Sequence, residues 1–340
     1  MILYVQQGLM PSYLQIHLNN CMAKNKLTDQ QQRRIDSNQQ ARVDNTSGSI
    51  RGLVIGQAGH KLDVETTNGV LQCARRKNTG AIVTGDEVLL EAVPPAEHVI
   101  TAVVPRSSLL ARPDFRGQMK AIAANLDRIF IICAIKPELN EGLIDRYLVA
   151  AETLNITPVI VLNKIDLAEE NQLTDLRRRV SIYAELGYEI IESSAKNQHG
   201  IDTLLKSLHT HTSILVGQSG VGKSSLVNAL LPGVNIKTRE ISESSNKGTH
   251  TTSASRLYHL PNGGNLIDSP GVREFGLWQV SAEELFNGFS EFRQYQGLCK
   301  FSNCQHKTEP HCAILDAIEA GKINQSRYDS YNRILESLTE

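Results

Sequence analysis

Ser213-Ile214-Leu215-Val216-Gly217-Gln218-Ser219-Gly220-Val221-Gly222-Lys223-Ser224-Ser225-Leu226-Val227-Asn228-Ala229-Leu230-Leu231 decides how the chain is read. It runs from a short apolar strand through a glycine turn into a helix, the context that a phosphate-binding P-loop requires. Gly217 and Gly222 allow a tight curl that points backbone N–H groups inward, and the helix starting near Lys223 turns its positive end to the same place. Lys223 then reaches phosphate oxygens as a point charge, and Ser224 offers a hydroxyl ligand for Mg²⁺. The expected occupant is a polyphosphate.

Upstream of this loop, strictly apolar runs alternate with helical patterns. Arg128 to Cys133 and Pro158 to Leu162 read as buried strands with a helix from Leu143 to Leu154 between them, the signature of a parallel α/β sheet. Ligands in such sheets sit at the carboxyl ends of strands, and there the sequence places Asn163-Lys164-Ile165-Asp166. The Asp166 carboxylate can accept from both N1–H and the N2 amino group of guanine, a donor pair that adenine lacks. Asn163 would brace the loop, and the Lys164 stem would cover the ring face. One strand further, Tyr188 to Glu192 leads into Ser193-Ser194-Ala195-Lys196, where a backbone N–H can meet guanine O6.

The order is therefore base loop, second base loop, P-loop, a circular permutation of the usual arrangement. Permutation leaves a core intact because domain termini lie at the surface and often close together. Beyond the P-loop helix, the polar stretch Ser242 to Thr252 reads as a first switch, with Thr251 or Thr252 completing the Mg²⁺ shell. Asp268-Ser269-Pro270-Gly271 reads as the second, Asp268 holding Mg²⁺ through water and the Gly271 N–H meeting the γ-phosphate. The next residue, Val272, stands where many GTPases carry a water-orienting glutamine. Valine cannot contact water by hydrogen bonding, so slow unaided hydrolysis is expected. His250 is the nearest side chain able to orient the water; the alternative is a loop histidine facing solvent or RNA.

Ser281-Ala-Glu-Glu284 is a capping box, with Leu285, Phe289 and Phe292 spaced for one helix face. Cys299, Cys304, His306 and Cys312 follow, a Cys₃His set suited to one closed, structural Zn²⁺ site; His311 is the alternative imidazole. Ser326 to Leu338 reads as a final packing helix.

The 340 residues carry a net charge of −1 and 41% apolar side chains, enough for several cores and no global attraction to nucleic acid. No apolar run is long enough to cross a bilayer, and three of six cysteines cluster beside histidines, which together suggest a reducing, cytoplasmic setting. Residues 1–47 read as a polar, Gln-rich, mildly basic arm, with Met22 a candidate start. From Gly48 to Pro105, five short runs of period-two pattern suit an OB barrel, or an SH3-like one, and Arg75-Arg76-Lys77 adds charge to a backbone-binding face. The expected organisation is an arm at 1–47, an OB domain at 48–106, a permuted α/β GTPase domain at 107–278 and a mostly helical zinc domain at 279–340.

Taken together, the permuted order of Asn163 to Asp166, Gly217 to Ser224 and Asp268 to Gly271, with Gly248 to Thr252 and the cysteine set ending at Cys312, closely resembles the RsgA (YjeQ) family of ribosome-dependent GTPases. The resemblance covers Met22 to the C-terminus. It implies action late in maturation of the 30S subunit, binding to 16S rRNA through the OB and zinc domains, slow GTP hydrolysis stimulated by 30S, and release on hydrolysis; a monomer is expected. The family's proposed catalytic histidine falls on His250. Thr249 stands where the family often has Arg or Lys. Two readings compete: an ATP-using P-loop kinase or ATPase, which Asp166 opposes, and a passive RNA-binding scaffold, which Lys223, Ser224 and Asp268 oppose.

Overall fold

The structure, a computed structural model, describes residues 49–76, 79–95, 97–113, 118–234, 255–269 and 280–339. They form two compact units. The first comprises the described residues up to Asp127, with Leu208–Ile214 and residues 255–269; the second comprises Arg128–Ser207, residues 215–234 and residues 280–339.

The first unit opens with strands β1 (Ile50–Ala58), β2 (Lys61–Thr66), β3 (Gly69–Arg75), β4 (Glu87–Val93) and β5 (Glu97–Val103), closed into a barrel in the order β1-β2-β3-β5-β4. Alternation decides the inside: Leu62 and Val64, or Val88 and Leu90, turn inward at a spacing of two, and with Val54, Cys73 and Ile100 they fill the barrel. Each fully buried aliphatic side chain contributes about 1.5–3 kcal/mol. Closure by β1 on β4 and by the parallel β3/β5 pair gives the small Greek-key barrel expected of an OB fold. Asp86, fully buried beside it, is matched by the Arg106 guanidinium at 2.7 and 2.8 Å and by the Val83 N–H at 2.8 Å, so no buried charge is left uncompensated.

A hairpin of β6 (Leu109–Pro113) and β7 (Met119–Ala124) follows. Three of the six β7 residues are alanines, so this strand carried little β-branched signal in the sequence. Asn125 fastens it to the barrel, donating to the Gly85 carbonyl at 2.8 Å and accepting from the Ser107 N–H at 2.9 Å.

In the second unit, β8 (Arg128–Ala134), β9 (Thr157–Asn163) and β10 (Glu189–Glu192) lie parallel in the order β10-β9-β8. The apolar side chains of β8 and β9 are buried, as expected of strands covered on both faces. The helices are α1 (Glu141–Thr153), α2 (Glu170–Glu185), α3 (Ile201–Leu208), α4 (Lys223–Leu230), α5 (Ala282–Gly288), α6 (Ala313–Glu319) and α7 (Gln325–Thr339). Asn140 caps α1 by accepting from the Leu143 N–H at 3.0 Å, and Ser281 with Glu284 forms the expected capping box on α5. Back in the first unit, the first three residues of β11 (Thr212–Val216) pair with β13 (Asn265–Asp268) in parallel, and β12 (Arg256–His259) pairs with β13 antiparallel.

Leu285, Phe289 and Phe292 do not share one helix. α5 ends at Gly288, Phe289 is its C-cap, and Phe292 sits in the 3₁₀ turn Ser290–Tyr295, yet all three are buried. Gly288 stops α5 against α1, since a Cβ there would lie 2.5 Å from Val149 Cγ1. Phe289 and Phe292 instead join Phe286 and Tyr331 of α7 in an aromatic cluster, with Phe292 and Tyr331 centroids 5.1 Å apart.

Beneath that cluster lies a buried ion triad. Arg327 of α7 donates to Asp145 of α1 at 2.5 Å and to Glu291 at 2.7 Å, and its guanidinium lies 4.3 Å from the Phe289 ring centroid. Burial works against the Arg327 charge, but Asp145 and Glu291 outweigh it and hold the pKa above its ordinary value. Residues 280–339 thereby pack as part of the same unit as the strands β8 to β10. Among the described residues, no helix is long and apolar enough to cross a membrane.

Candidate nucleotide site and metal centre

The P-loop follows β11 and lies with the two base loops in the second unit. Gly217 has φ 139°, and a Cβ there would stand 2.2 Å from the Ile132 carbonyl oxygen, so the loop passes against the β8 backbone only because that position lacks a side chain. Gly222, the N-cap of α4, has φ 96°, and its Cβ would meet Asn163 Nδ2 at 2.4 Å. Between these glycines the chain curls as the sequence requires. Lys223 Nζ donates to the carbonyls of Gly217 and Gln218, each at 2.6 Å, which holds the ammonium over the loop.

Asn163 is 2% exposed and works as a strap. Its Nδ2 donates to the Val221 carbonyl at 2.9 Å, while its Oδ1 accepts from Ser193 Oγ at 3.2 Å. One amide therefore joins the end of β9, the loop after β10 and the P-loop. Lys164 adopts the left-handed conformation (φ 62°), and its Nζ donates to the carbonyls of Gly220, at 2.5 Å, and Lys136, at 3.1 Å. The lysine stem thus crosses from the base loop to the P-loop and to the segment after β8.

Asp166 lies in a single 3₁₀ turn, Ile165–Leu167. Ser194 Oγ donates to its Oδ1 at 2.5 Å and accepts from the Asn197 N–H at 3.1 Å, which fixes the carboxylate orientation and leaves the other oxygen for a ligand. The sequence placed Ser194, Ala195 and Lys196 beside the base. The structure adds two roles that spacing does not disclose: Ser194 orients Asp166, and Ser193 supports Asn163. Short hydroxyl residues before a loop were the available signal, and they are too common on loops to read alone. Ser224 and Ser225 open α4. Asp268 ends β13, half-buried, in the first unit. His250, Thr251, Thr252 and Gly271 lie outside the described residues, as do Thr249, Val272, Lys77 and the arm at 1–47.

The candidate metal centre is compact. The ligand atoms of Cys299, Cys304, His306 and Cys312 all lie within 4.8 Å of one another. Cys299 Sγ is 3.9 Å from Cys312 Sγ, and His306 Nδ1 is 3.5 and 3.4 Å from those two sulfurs. A tetrahedron with ordinary zinc bond lengths requires about 3.8 Å between sulfurs and about 3.6 Å between sulfur and nitrogen. The donor set and its spacing therefore fit Zn²⁺. Burial holds the His306 imidazole below its ordinary pKa, favouring the neutral, ligating form. Tyr328 of α7 donates to the His306 carbonyl at 2.5 Å, and the Phe286 ring lies 5.4 Å from the imidazole. His311 stands outside this cluster.

Arg75 and Arg76 are both exposed at the end of β3, where Arg76 pairs with Glu91 at 2.8 Å.

Comparison with known proteins agrees with this geometry. Residues 103–278 match the model of the RsgA GTPase family. The chain is 47% identical over 334 residues to "Small ribosomal subunit biogenesis GTPase RsgA 1" of Vibrio vulnificus strain YJ016, covering 93% of this chain and 95% of that one. The protein of the same name from strain CMCP6 matches equally. Among solved structures, YjeQ from Thermotoga maritima superposes with a TM-score of 0.72 at 33% identity, over 86% of this chain and 99% of that one. YloQ, described as a circularly permuted GTPase, gives 0.68 at 27% identity, over 86% and 96%.

Proposed function

The chain belongs to the RsgA GTPase family, and from that premise we propose that it is a GTP-hydrolysing assembly factor that acts late in small-subunit maturation. The observation that carries this reading is the strap at Asn163, which joins the Asn163–Asp166 loop to the P-loop. GTP binds with its phosphates in the curl of Gly217, Gln218, Ser219, Gly220, Val221, Gly222 and Lys223, against the N-terminus of α4 at Ser224 and Ser225. Asp166 takes the guanine N1–H and N2 amino group on the oxygen that Ser194 leaves free. The backbone of Ser194, Ala195 and Lys196 meets O6.

Ser224, Asp268 and one of Thr251 and Thr252 are the residues that hold Mg²⁺, which when bound neutralises charge on the phosphates. His250 orients the attacking water in place of the missing glutamine. One zinc ion held by Cys299, Cys304, His306 and Cys312 is structural, because four protein donors leave no open position. The OB barrel and the zinc region hold 16S rRNA of the 30S particle, the particle stimulates hydrolysis, and the GDP form leaves. The protein works as a monomer in the cytoplasm.

The test is steady-state hydrolysis with and without 30S subunits at one stated salt concentration, since RNA contacts are salt-dependent. Strong stimulation with GTP and none with ATP is expected. Equal slow turnover with and without subunits refutes the assembly role while leaving the GTPase intact.

A further inference from the structure

A large cavity lies away from the P-loop. It has a volume of about 740 Å³, within the size range of ligand pockets, and forms among the N-terminal turns of α1 and α7 and the middle of α2. Four guanidinium groups line it, from Arg146, Arg178, Arg179 and Arg333, against a single carboxylate, Glu141. Two of the four are already matched. Arg179 grips Glu141 with two hydrogen bonds at 2.6 and 2.9 Å and has Glu138 at 3.8 Å, and Arg178 pairs with Asp175 at 2.7 Å.

Neither of the other two forms a hydrogen-bonded ion pair among the described residues. Arg146 donates to the Ser337 hydroxyl at 2.9 Å, and burial pushes its pKa below the ordinary value with no anion to offset the cost. Arg333 is exposed; its charge helps hold the Glu141 carboxyl below the ordinary carboxylate range, but Glu141 spends its hydrogen bonds on Arg179, so the Arg333 N–H donors stay open to a ligand. Leu143, Ile182 and Ile334 supply apolar wall between the charges. Planar guanidiniums set in a concavity match the oxygens of a phosphate group, which they bind by paired hydrogen bonds.

The geometry points to a second anion site, in which Arg146 and Arg333 bind a phosphate ester, either one link of an RNA chain or a free phosphorylated small molecule. This goes beyond the nucleotide reading and does not depend on it, since none of the four arginines belongs to the P-loop or the base loops.

The test uses the full-length, zinc-loaded protein saturated with GDP, so that the nucleotide loops are occupied. Two probes are titrated: a short fluorescein-labelled single-stranded RNA, read by anisotropy, and adenosine 3′,5′-bisphosphate, read by calorimetry. Arg333→Glu is compared with wild type and with Lys206→Glu, which makes the same charge change on an exposed residue of α3. The expected result is binding of at least one probe that weakens about tenfold in Arg333→Glu, as loss of a guanidinium–phosphate contact requires. That binding should stay within about twofold in Lys206→Glu, with GDP affinity equal in all three proteins. For RNA, the slope of log affinity on log salt should fall by about 0.7. Loss confined to RNA identifies the phosphodiester chain; loss of the bisphosphate identifies a free ester. Arg146→Gln should weaken the same probe, which keeps the test valid if charge reversal disturbs folding. Failure of wild type to bind either probe, or equal weakening in the arginine and lysine variants, overturns the site.

Discussion

Replacing Asn163 with alanine tests whether the strap holds the nucleotide site together. The substitution removes the partner of the Val221 carbonyl and the acceptor of the Ser193 hydroxyl, in a place where Asn163, Val221 and Ser193 are each at most 2% exposed. Leaving a buried polar group without a partner costs about 1–3 kcal/mol. Two such groups give roughly 2–6 kcal/mol, the lower end applying if water enters the space left by the amide. At about 2–4 °C per kcal/mol for a domain of this size, thermal unfolding should move down by roughly 4–24 °C. Binding responds too, because apparent affinity falls with the fraction of molecules whose two loops are in register; each 1.4 kcal/mol on that equilibrium is about tenfold. Titration with a fluorescent GDP should therefore show affinity lower by about tenfold or more, with the preference for guanine over adenine retained because Asp166 and Ser194 are untouched. A cycle with Ser193→Ala should be non-additive by about 0.5–3 kcal/mol, since both variants break one shared contact. A stability loss below about 0.5 kcal/mol with unchanged affinity would refute the strap. Loss of guanine preference would move base recognition onto Asn163 itself.

Other outcomes follow from the same contacts. Asp166→Asn should lower the preference for GTP over ATP by about a hundredfold, because one oxygen that accepts two N–H groups with full charge is worth roughly 1.5–3 kcal/mol per bond; competition binding that shows the preference unchanged would return the ATP reading. Cys312→Ser, or chelation at neutral pH, should reduce zinc from one ion per chain toward none by metal analysis and expose the segment from Cys299 to Cys312 to proteolysis. A chain that retains one equivalent of zinc after loss of Cys312 would displace that residue from the ligand set. Arg327→Ala should destabilise the second unit by about 3–5 kcal/mol in urea unfolding, because Asp145 and Glu291 stay buried without their cation. A loss under about 1 kcal/mol would mean that the acids are neutral or hydrated.

Local physics explains which parts were legible in the sequence. The barrel strands declared themselves because Leu62 and Val64 alternate with the polar Lys61, Asp63 and Glu65 and because Glu87 and Glu91 bracket the apolar run Val88 to Leu90, and β8 and β9 because parallel strands covered on both faces must be apolar throughout. The nucleotide loops were legible because their chemistry needs particular residue types at fixed spacing, and so was the zinc set. β7 was not, since Ala121, Ala123 and Ala124 carry no strand preference and are held by pairing with β6. The end of α5 was misread because apolar spacing continues through Phe289 and Phe292 while the backbone leaves the helix at Gly288. Arg327 reads in the sequence as one more surface cation of an amphipathic helix, and only the fold brings Asp145 and Glu291, distant in the chain, onto it.

That last contrast bears on why the permuted order costs so little. A loop at the carboxyl end of a parallel strand is placed by the strand's position in the sheet, not by its position in the chain. Asn163 and Val221 are 58 residues apart, and Lys164 and Gly220 are 56 apart, yet their side-chain-to-backbone contacts close within hydrogen-bond distance. In either chain order the same strands could present those groups to each other. What permutation changes is which segment follows the switches. Here the chain after Asp268 leads to α5 and the Cys299–Cys312 cluster, and that region is fastened to α1 by the Arg327 triad, while α1 begins at the Asn140 cap just beyond Lys136, whose carbonyl Lys164 contacts. The base loop, the first helix and the region of the cysteine–histidine cluster thus belong to one compact unit, and the Arg327 triad is the buried joint that fastens that region to the helix.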